Sequence, residues 1–398
     1  MKLRKMSQLA LASGIGLAVA ATLTACQLVT VDYVFLAGAN GLQSFAVDSE
    51  SGALRNVNNT SDKPISTGGS PVALAVSGTY ADLYAANSDN NAVVHFTIDT
   101  SGNLTKADSI TTNETPVALA VTPSGSALFV LSGTTTATLT EYTLSSGKIG
   151  SAVATEALTI PSYAGDTVVP TALTTLANGS AVYATVYDQS AYNPGGTTTS
   201  TANPGWVFGF GIGNGGALSA TANSPYRAGV KPSGIVAEPA NRFVYVTDFA
   251  SNQLIGYGIT SSTTLNFLIS GPYKTGNQPS AVAIDPRGKF LYVTNALDST
   301  VSAFAIDLTT GIPTAAINTT GSTSNTTDTQ PNAVIVEPAE GRYVYTANTL
   351  GNSVSGFKLN PNTGVIASTQ ATPYPAESKP TAIVAVPHGN HSLQVVTN

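Results

Sequence analysis

The chain is poor in charge. Lys, Arg, Asp and Glu make up only 10% of its 398 residues, and the formal net charge is −6. No run of Lys or Arg occurs anywhere. An acidic surface without basic patches repels phosphate backbones, which excludes nucleic acid as a partner. Cysteine occurs once, at Cys26. That excludes an intramolecular disulfide and any C-x-x-C metal or redox site. The three histidines, His95, His388 and His391, show no metal-ligand spacing backed by a carboxylate, so no metal and no cofactor is expected. Helical periodicity is missing, as are a P-loop and a G-x-S-x-G motif. Gly211-Ile-Gly213-Asn-Gly-Gly216 matches G-x-G-x-x-G, but no helix follows it, so it reads as a turn between strands.

What the chain has is Val, Ile, Leu, Phe and Tyr recurring at regular intervals among Gly, Ser, Thr, Asn and Pro. This fits many short strands joined by turns. The first residues are basic (Lys2, Arg4, Lys5), and residues 9–23 form an apolar stretch too short for a full membrane span. Leu23-Thr24-Ala25-Cys26 follows and resembles the bacterial lipobox, whose cysteine is diacylated and becomes the new N-terminus. Residues 1–25 are therefore expected to be a lipoprotein signal peptide, 26–32 a short tether and 33–398 the folded domain. Loss of three of the 16 bases leaves 13 against 22 acids in the mature chain. The resemblance implies export and anchoring of Cys26 in the cell envelope, at the outer membrane or the periplasmic face.

Seven segments open alike, at Pro71, Pro116, Pro170, Pro232, Pro279, Pro331 and Pro380. The intervals between them are 45, 54, 62, 47, 52 and 49 residues, a period of the size found in propellers and solenoids. Within a unit the order is constant. A strand of small apolar residues (281–284) leads to a turn, Asp285-Pro286-Arg287-Gly288. An aromatic and β-branched strand follows (290–295), then an alternating third strand (301–306) and a weaker fourth. Four antiparallel strands per unit make a blade, and seven units make an all-β seven-bladed β-propeller. Before Pro71 the chain offers strands two, three and four without a first, at 33–37, 43–47 and 53–57. After Pro380 it offers a first strand and a second-strand candidate at 393–397. The closing blade is therefore shared by the two ends, with either 33–37 or 393–397 as its second strand.

The segment from Phe290 to Asp307, with the core Tyr292-Val293-Thr294-Asn295, resembles the YVTN repeat. Degenerate copies run from Leu83 to Asn87, Val244 to Asp248 and Val344 to Asn348. The wider pattern resembles the lactonase-type seven-bladed propellers, the group of 6-phosphogluconolactonase, over essentially the whole mature chain. By that resemblance, active members carry Arg-His after a blade-opening proline and charged groups at the channel mouth. Here the residues after each proline are Val72-Ala73, Val117-Ala118, Thr171-Ala172, Ser233-Gly234, Ser280-Ala281, Asn332-Ala333 and Thr381-Ala382. None is charged.

Residues just before the blade prolines approach one mouth of the channel. Glu114, Lys231, Asn277, Gln278, Gln330 and Lys379 are the candidate ligand-binding residues there. Asn87, Asp248, Asn295 and Asn348, at second-strand ends, read as caps of the following turns. Pro225-Tyr226-Arg227 and Pro272-Tyr273-Lys274 read as repeated packing between blades. The longest insert, 187–205, reads as a surface loop with functional potential. The leading reading is an envelope binding or scaffold module that holds a small polar ligand or an envelope protein. The alternative is a lactone hydrolase, a carboxylic ester hydrolase, which needs a positioned water, a general base and oxyanion donors.

Overall fold

The structure, a computed structural model, describes residues 29–57, 63–160, 167–190, 204–213, 215–318, 320–376 and 378–388. These residues form seven antiparallel sheets and no helix. Six sheets are sequential blades. Blade 1 runs outward from Pro71–Val76 through Asp82–Asn87 and Ala92–Ile98 to Leu104–Thr111, and blades 2 to 6 repeat that order. The seventh sheet has Ala382–Pro387 innermost, then Thr30–Gly38, Gly41–Asp48 and Leu54–Asn56. The first strand of the closing blade thus comes from the C-terminal end and the other three from the N-terminal end. Tyr33 and Ala37 pair with Val386 and Ala382, so 33–37 fills the second-strand position. The competing segment 393–397 lies outside the described residues, as do Cys26 and the signal segment.

Innermost strands of successive blades touch one another around the whole circle, the closing blade touching both blade 6 and blade 1. The core is accordingly divided. Seven hydrophobic clusters occupy the seven blade junctions, one between each adjacent pair. The second strands explain why. All six residues of Phe290–Asn295 are buried. Leu291 and Val293 face the blade 4 side, whereas Tyr292 faces blade 6. A strand buried on both faces carries continuous apolar character rather than the alternation of a half-exposed strand.

Hydroxyls bolt these layers together. Tyr292 donates to the carbonyl of Gly364 in the next blade at 2.9 Å. The equivalent tyrosines repeat the contact: Tyr84 to Gly147 (2.6 Å), Tyr183 to Thr263 (2.6 Å), Tyr245 to Gly311 (2.7 Å) and Tyr345 to Gly52 (2.7 Å). Each acceptor sits in the hairpin between third and fourth strands. The chain turns left-handed there, with φ of 74° at Gly364, a region glycine enters without steric cost. The tyrosines after Pro225 and Pro272 also pack between blades as expected. Tyr226 joins the layer against blade 4, and Tyr273 packs against the layer between blades 4 and 5.

Candidate functional site

Each of the six sequential blades begins with a β-bulge. The ladder slips by one residue straight after the opening proline, for example between Pro232 and Gly234 and between Pro279 and Ala281. Blades 1, 2, 3 and 6 slip at the same place. Proline has no N–H for the ladder, and the residue after it stands off the regular pairing. Bulges commonly re-aim a side chain, often next to active sites. The residue so placed is Val72, Val117, Thr171, Ser233, Ser280 or Asn332, and Thr381 occupies the corresponding position in the closing blade.

In the second half of the ring these side chains are committed to architecture. Ser233 Oγ donates to the Pro279 carbonyl at 2.6 Å, Ser280 Oγ to Pro331 at 2.7 Å and Thr381 Oγ1 to Pro71 at 2.8 Å. Between blade 6 and the closing blade, Asn332 Nδ2 donates to Thr349 Oγ1 (2.8 Å), which donates to the Pro380 carbonyl (2.6 Å). Four successive junctions, from blade 4 round to blade 1, are therefore linked proline to proline along the inner rim.

Polar groups at the second-strand ends are equally engaged. Asp248 is fully buried and accepts from the Val230 and Lys231 amides and from Gln253 Nε2. Asn295 accepts from the Gly276 amide and donates to Thr300 and Ser302. These residues do more than cap the turn that follows them. They also pin the segment arriving from the preceding blade.

The sequence-predicted mouth residues are distributed around the rim, each tied within its own junction. Gln278, Gln330 and Lys379 adopt left-handed backbone (φ 55°, 57° and 51°). Their amides donate to Asn252 Oδ1, Ser299 Oγ and Asn352 Oδ1 of the preceding blade. Asn277 donates through its backbone and side-chain amides to the Asp298 carboxylate at 2.6 and 2.8 Å. Glu114 accepts from Thr136 Oγ1 and Thr138 Oγ1 at 2.9 and 3.1 Å. Lys231 differs from the others. Its ammonium lies 5.4 Å from the Tyr187 ring and 4.8 Å from the Phe249 ring, and partial burial pulls its pKa below the usual lysine value. Elsewhere in blade 3, the Arg227 guanidinium stacks 4.0 Å over Trp206, whose ring belongs to the layer against blade 2. The insert between Tyr187 and Gly205 leaves from this corner, and its residues 191–203 lie outside the described set.

Three cavities occupy equivalent places at blade junctions. They measure ≈ 150 Å³ beside Glu114, ≈ 180 Å³ beside Arg227 and ≈ 320 Å³ beside Asp328. Each is walled by third- and fourth-strand residues of one blade and by the end of the blade before it. Recurrence at equivalent positions marks them as products of the repeat.

The family model described as Lactonase, 7-bladed beta-propeller, matches residues 30–164 and 234–391. The chain belongs to the lactonase family of seven-bladed β-propellers. Among solved structures this lactonase-family chain is similar to the periplasmic gluconolactonase of Pseudomonas aeruginosa. The TM-score is 0.72 at 16% identity, covering 90% of this chain and 100% of that one. A candidate 6-phosphogluconolactonase from Bacteroides fragilis gives a TM-score of 0.70 at 18% identity, covering 89% and 98%. A Lactobacillus plantarum protein gives 0.71 at 16%, covering 90% and 100%. Identities this low carry the fold alone. No curated protein matches the chain. The family match skips residues 165–233, which hold most of blade 3 together with Trp206, Arg227 and Lys231. Most of blade 3 therefore lies in the segment that the family model does not match.

One cluster escaped the sequence reading. His95 is buried between two carboxylates, Nε2 at 2.9 Å from Asp82 Oδ1 and Nδ1 at 2.5 Å from Asp108 Oδ1, with its ring stacked 5.0 Å from Tyr84. Asp108 also accepts from the Ile149 amide of blade 2 at 3.1 Å. Both ring nitrogens are occupied, so neither is left to exchange a proton with a substrate. The signal was present in one form only: His95 and Asp108 are direct cross-strand partners, which requires the hairpin register to be known.

Proposed function

We propose that this protein is an exported, ligand-binding member of the lactonase propeller family, with its binding corner at blades 3 and 4. The supporting observation is the use made of the position after each blade-opening proline. There the family resemblance implies a charged pair, whereas Ser233, Ser280 and Thr381 hold the inner rim together through proline carbonyls. The buried Asp248 carboxylate is saturated by amide donors, so it is no ready general base. What the mouth retains is recognition chemistry: the Lys231 ammonium beside the Tyr187 and Phe249 rings, suited to a small polar ligand.

A lactone hydrolase is the second reading, and Lys231 is the observation that favours it. A desolvated lysine whose pKa is pulled down is a recognised form of catalytic group. Hydrolysis of gluconolactone and of 6-phosphogluconolactone, measured against the spontaneous background, separates the two. Under the binding reading neither lactone turns over above background, gluconate or gluconolactone binds by calorimetry, and Lys231→Ala weakens that binding at least about tenfold. Turnover that disappears in Lys231→Ala establishes the hydrolase instead.

The address follows from Cys26, which we propose carries the lipid anchor. Three residues separate it from Thr30, so the four steps of chain reach at most about 14 Å. Thr30–Gly38 starts at the end of the barrel axis away from the proline rim, since Asp32 pairs with Pro387 and Ala37 with Ala382. An anchor there holds the far face toward the membrane and turns the proline mouth away from it.

A further inference from the structure

The seam where the ring closes buries two acids against each other. Asp32 lies on Thr30–Gly38 of the closing blade, and Glu337 follows the first strand of blade 6; both are fully buried. Glu337 is already committed, its Oε1 accepting from the Arg342 amide at 2.5 Å and its Oε2 from the Glu340 amide at 3.0 Å. Both carboxyl oxygens of Asp32 are buried without a hydrogen bond of normal geometry. Among the described residues no basic side chain pairs with them. Arg342, the cation of this hairpin, pairs with Glu340 at 2.9 Å. The remaining groups near Asp32 are Glu340 and Tyr345 from blade 6, and Tyr80 from blade 1. On the closing blade itself, the His388 amide donates to the Val31 carbonyl, and its ring stands edge-on to Tyr33 at 5.2 Å.

A buried carboxylate facing a second acid, with no cation to pair it, is stable only when a proton lies between them. We propose that Asp32 and Glu337 form a proton-dependent lock on the closing seam, which holds blade 6 to the closing blade while protonated and loosens it on losing that proton. Burial first, then the neighbouring Glu337 carboxyl, hold the Asp32 carboxyl well above the ordinary carboxylate range. The folded state thus keeps a proton that the unfolded chain releases. Stability from this pair is fully present below the ordinary aspartate pKa and is lost as pH rises through the raised value. That slope is opposite to the one salt-bridged carboxylates give.

The test uses the mature full-length chain, melted across a series from about pH 5 to pH 8. Asp32→Asn keeps the shape and a hydrogen-bond donor but cannot ionise. It is expected to melt at least about 2 °C above the wild type at the alkaline end and to flatten the alkaline slope. In the wild type, amide exchange at Ala382–Pro387, corrected for its intrinsic pH dependence, should accelerate on the order of tenfold across the series relative to Pro279–Ile284. The exchange measurement needs no variant, so it stands even if Asp32→Asn fails to fold. Seam amides that follow the blade 5 control at every pH, or an Asp32→Asn protein that keeps the wild-type slope, would overturn the proposal.

Discussion

Tyr292 carries the YVTN motif for a reason the motif does not announce. Its ring fills the layer between blades 5 and 6, and its hydroxyl reaches the Gly364 carbonyl across that layer. Tyr292→Phe keeps the ring and leaves a buried carbonyl without its donor. Removing one partner of a buried hydrogen bond costs about 1–3 kcal/mol, so a denaturant titration should show a lower midpoint with an unchanged m-value. An unchanged midpoint would mean that water or another donor serves Gly364 as well. The opposing third-strand position shows the same economy of space. Gly209, Gly256 and Gly356 face the tyrosines of blades 3, 4 and 6, and a methyl group on Gly209 or Gly356 would crowd the tyrosine ring. Blade 1 places His95 there instead, and the blade supplies Asp82 and Asp108 to hold it.

At the scale of elements, the informative pieces are the bulge that opens each blade and the strand that closes the last one. The bulge takes one residue per blade out of the ladder and aims it at the inner rim. Because that residue is a hydroxyl or an asparagine from blade 4 onward, the rim is stitched rather than lined with charge. Closure rests on Ala382–Pro387, which pairs with Thr30–Gly38 over six residues. Deleting residues 380–398 strips that partner and exposes a long, flat, apolar edge, which invites intermolecular pairing. The truncated chain is expected to aggregate on concentration and to lose a single cooperative melting transition. A truncated protein that melts as sharply and as high as the full chain would show that the ring does not depend on its shared blade.

At the scale of the whole molecule, seven junctions of similar construction are closed into a ring, so that each blade packs on two neighbours and no end is left free. The ring presents two faces, and the anchor proposed at Cys26 distinguishes them. Cys26→Ser should move the protein from the membrane to the soluble envelope fraction and abolish fatty-acid labelling, with the melting temperature of the folded domain unchanged. Retention of the variant at the membrane would require a second attachment, and the orientation argued from Thr30 would fall with the anchor. Most of blade 3 falls in the segment, 165–233, that the family match skips.

The repeat, the blade count and the shared closing blade were legible in the sequence, because a propeller copies its local pattern seven times. Each turn, each apolar first strand and each opening proline signals its element through short-range rules of backbone conformation and period. The roles of single polar residues were not legible. Gln278, Gln330 and Lys379 read as mouth side chains, and no local signal told that their left-handed amides also clasp the preceding blade. His95 read as an isolated histidine, yet two aspartates flank it from neighbouring strands. Asp32 gave no signal at all, because Glu337 stands 305 positions away in the chain and meets it only when the ring closes. Local sequence determined which strands form and in what order. Only the closed ring decided which polar groups meet, since contacts across a junction depend on register and closure rather than on proximity along the chain.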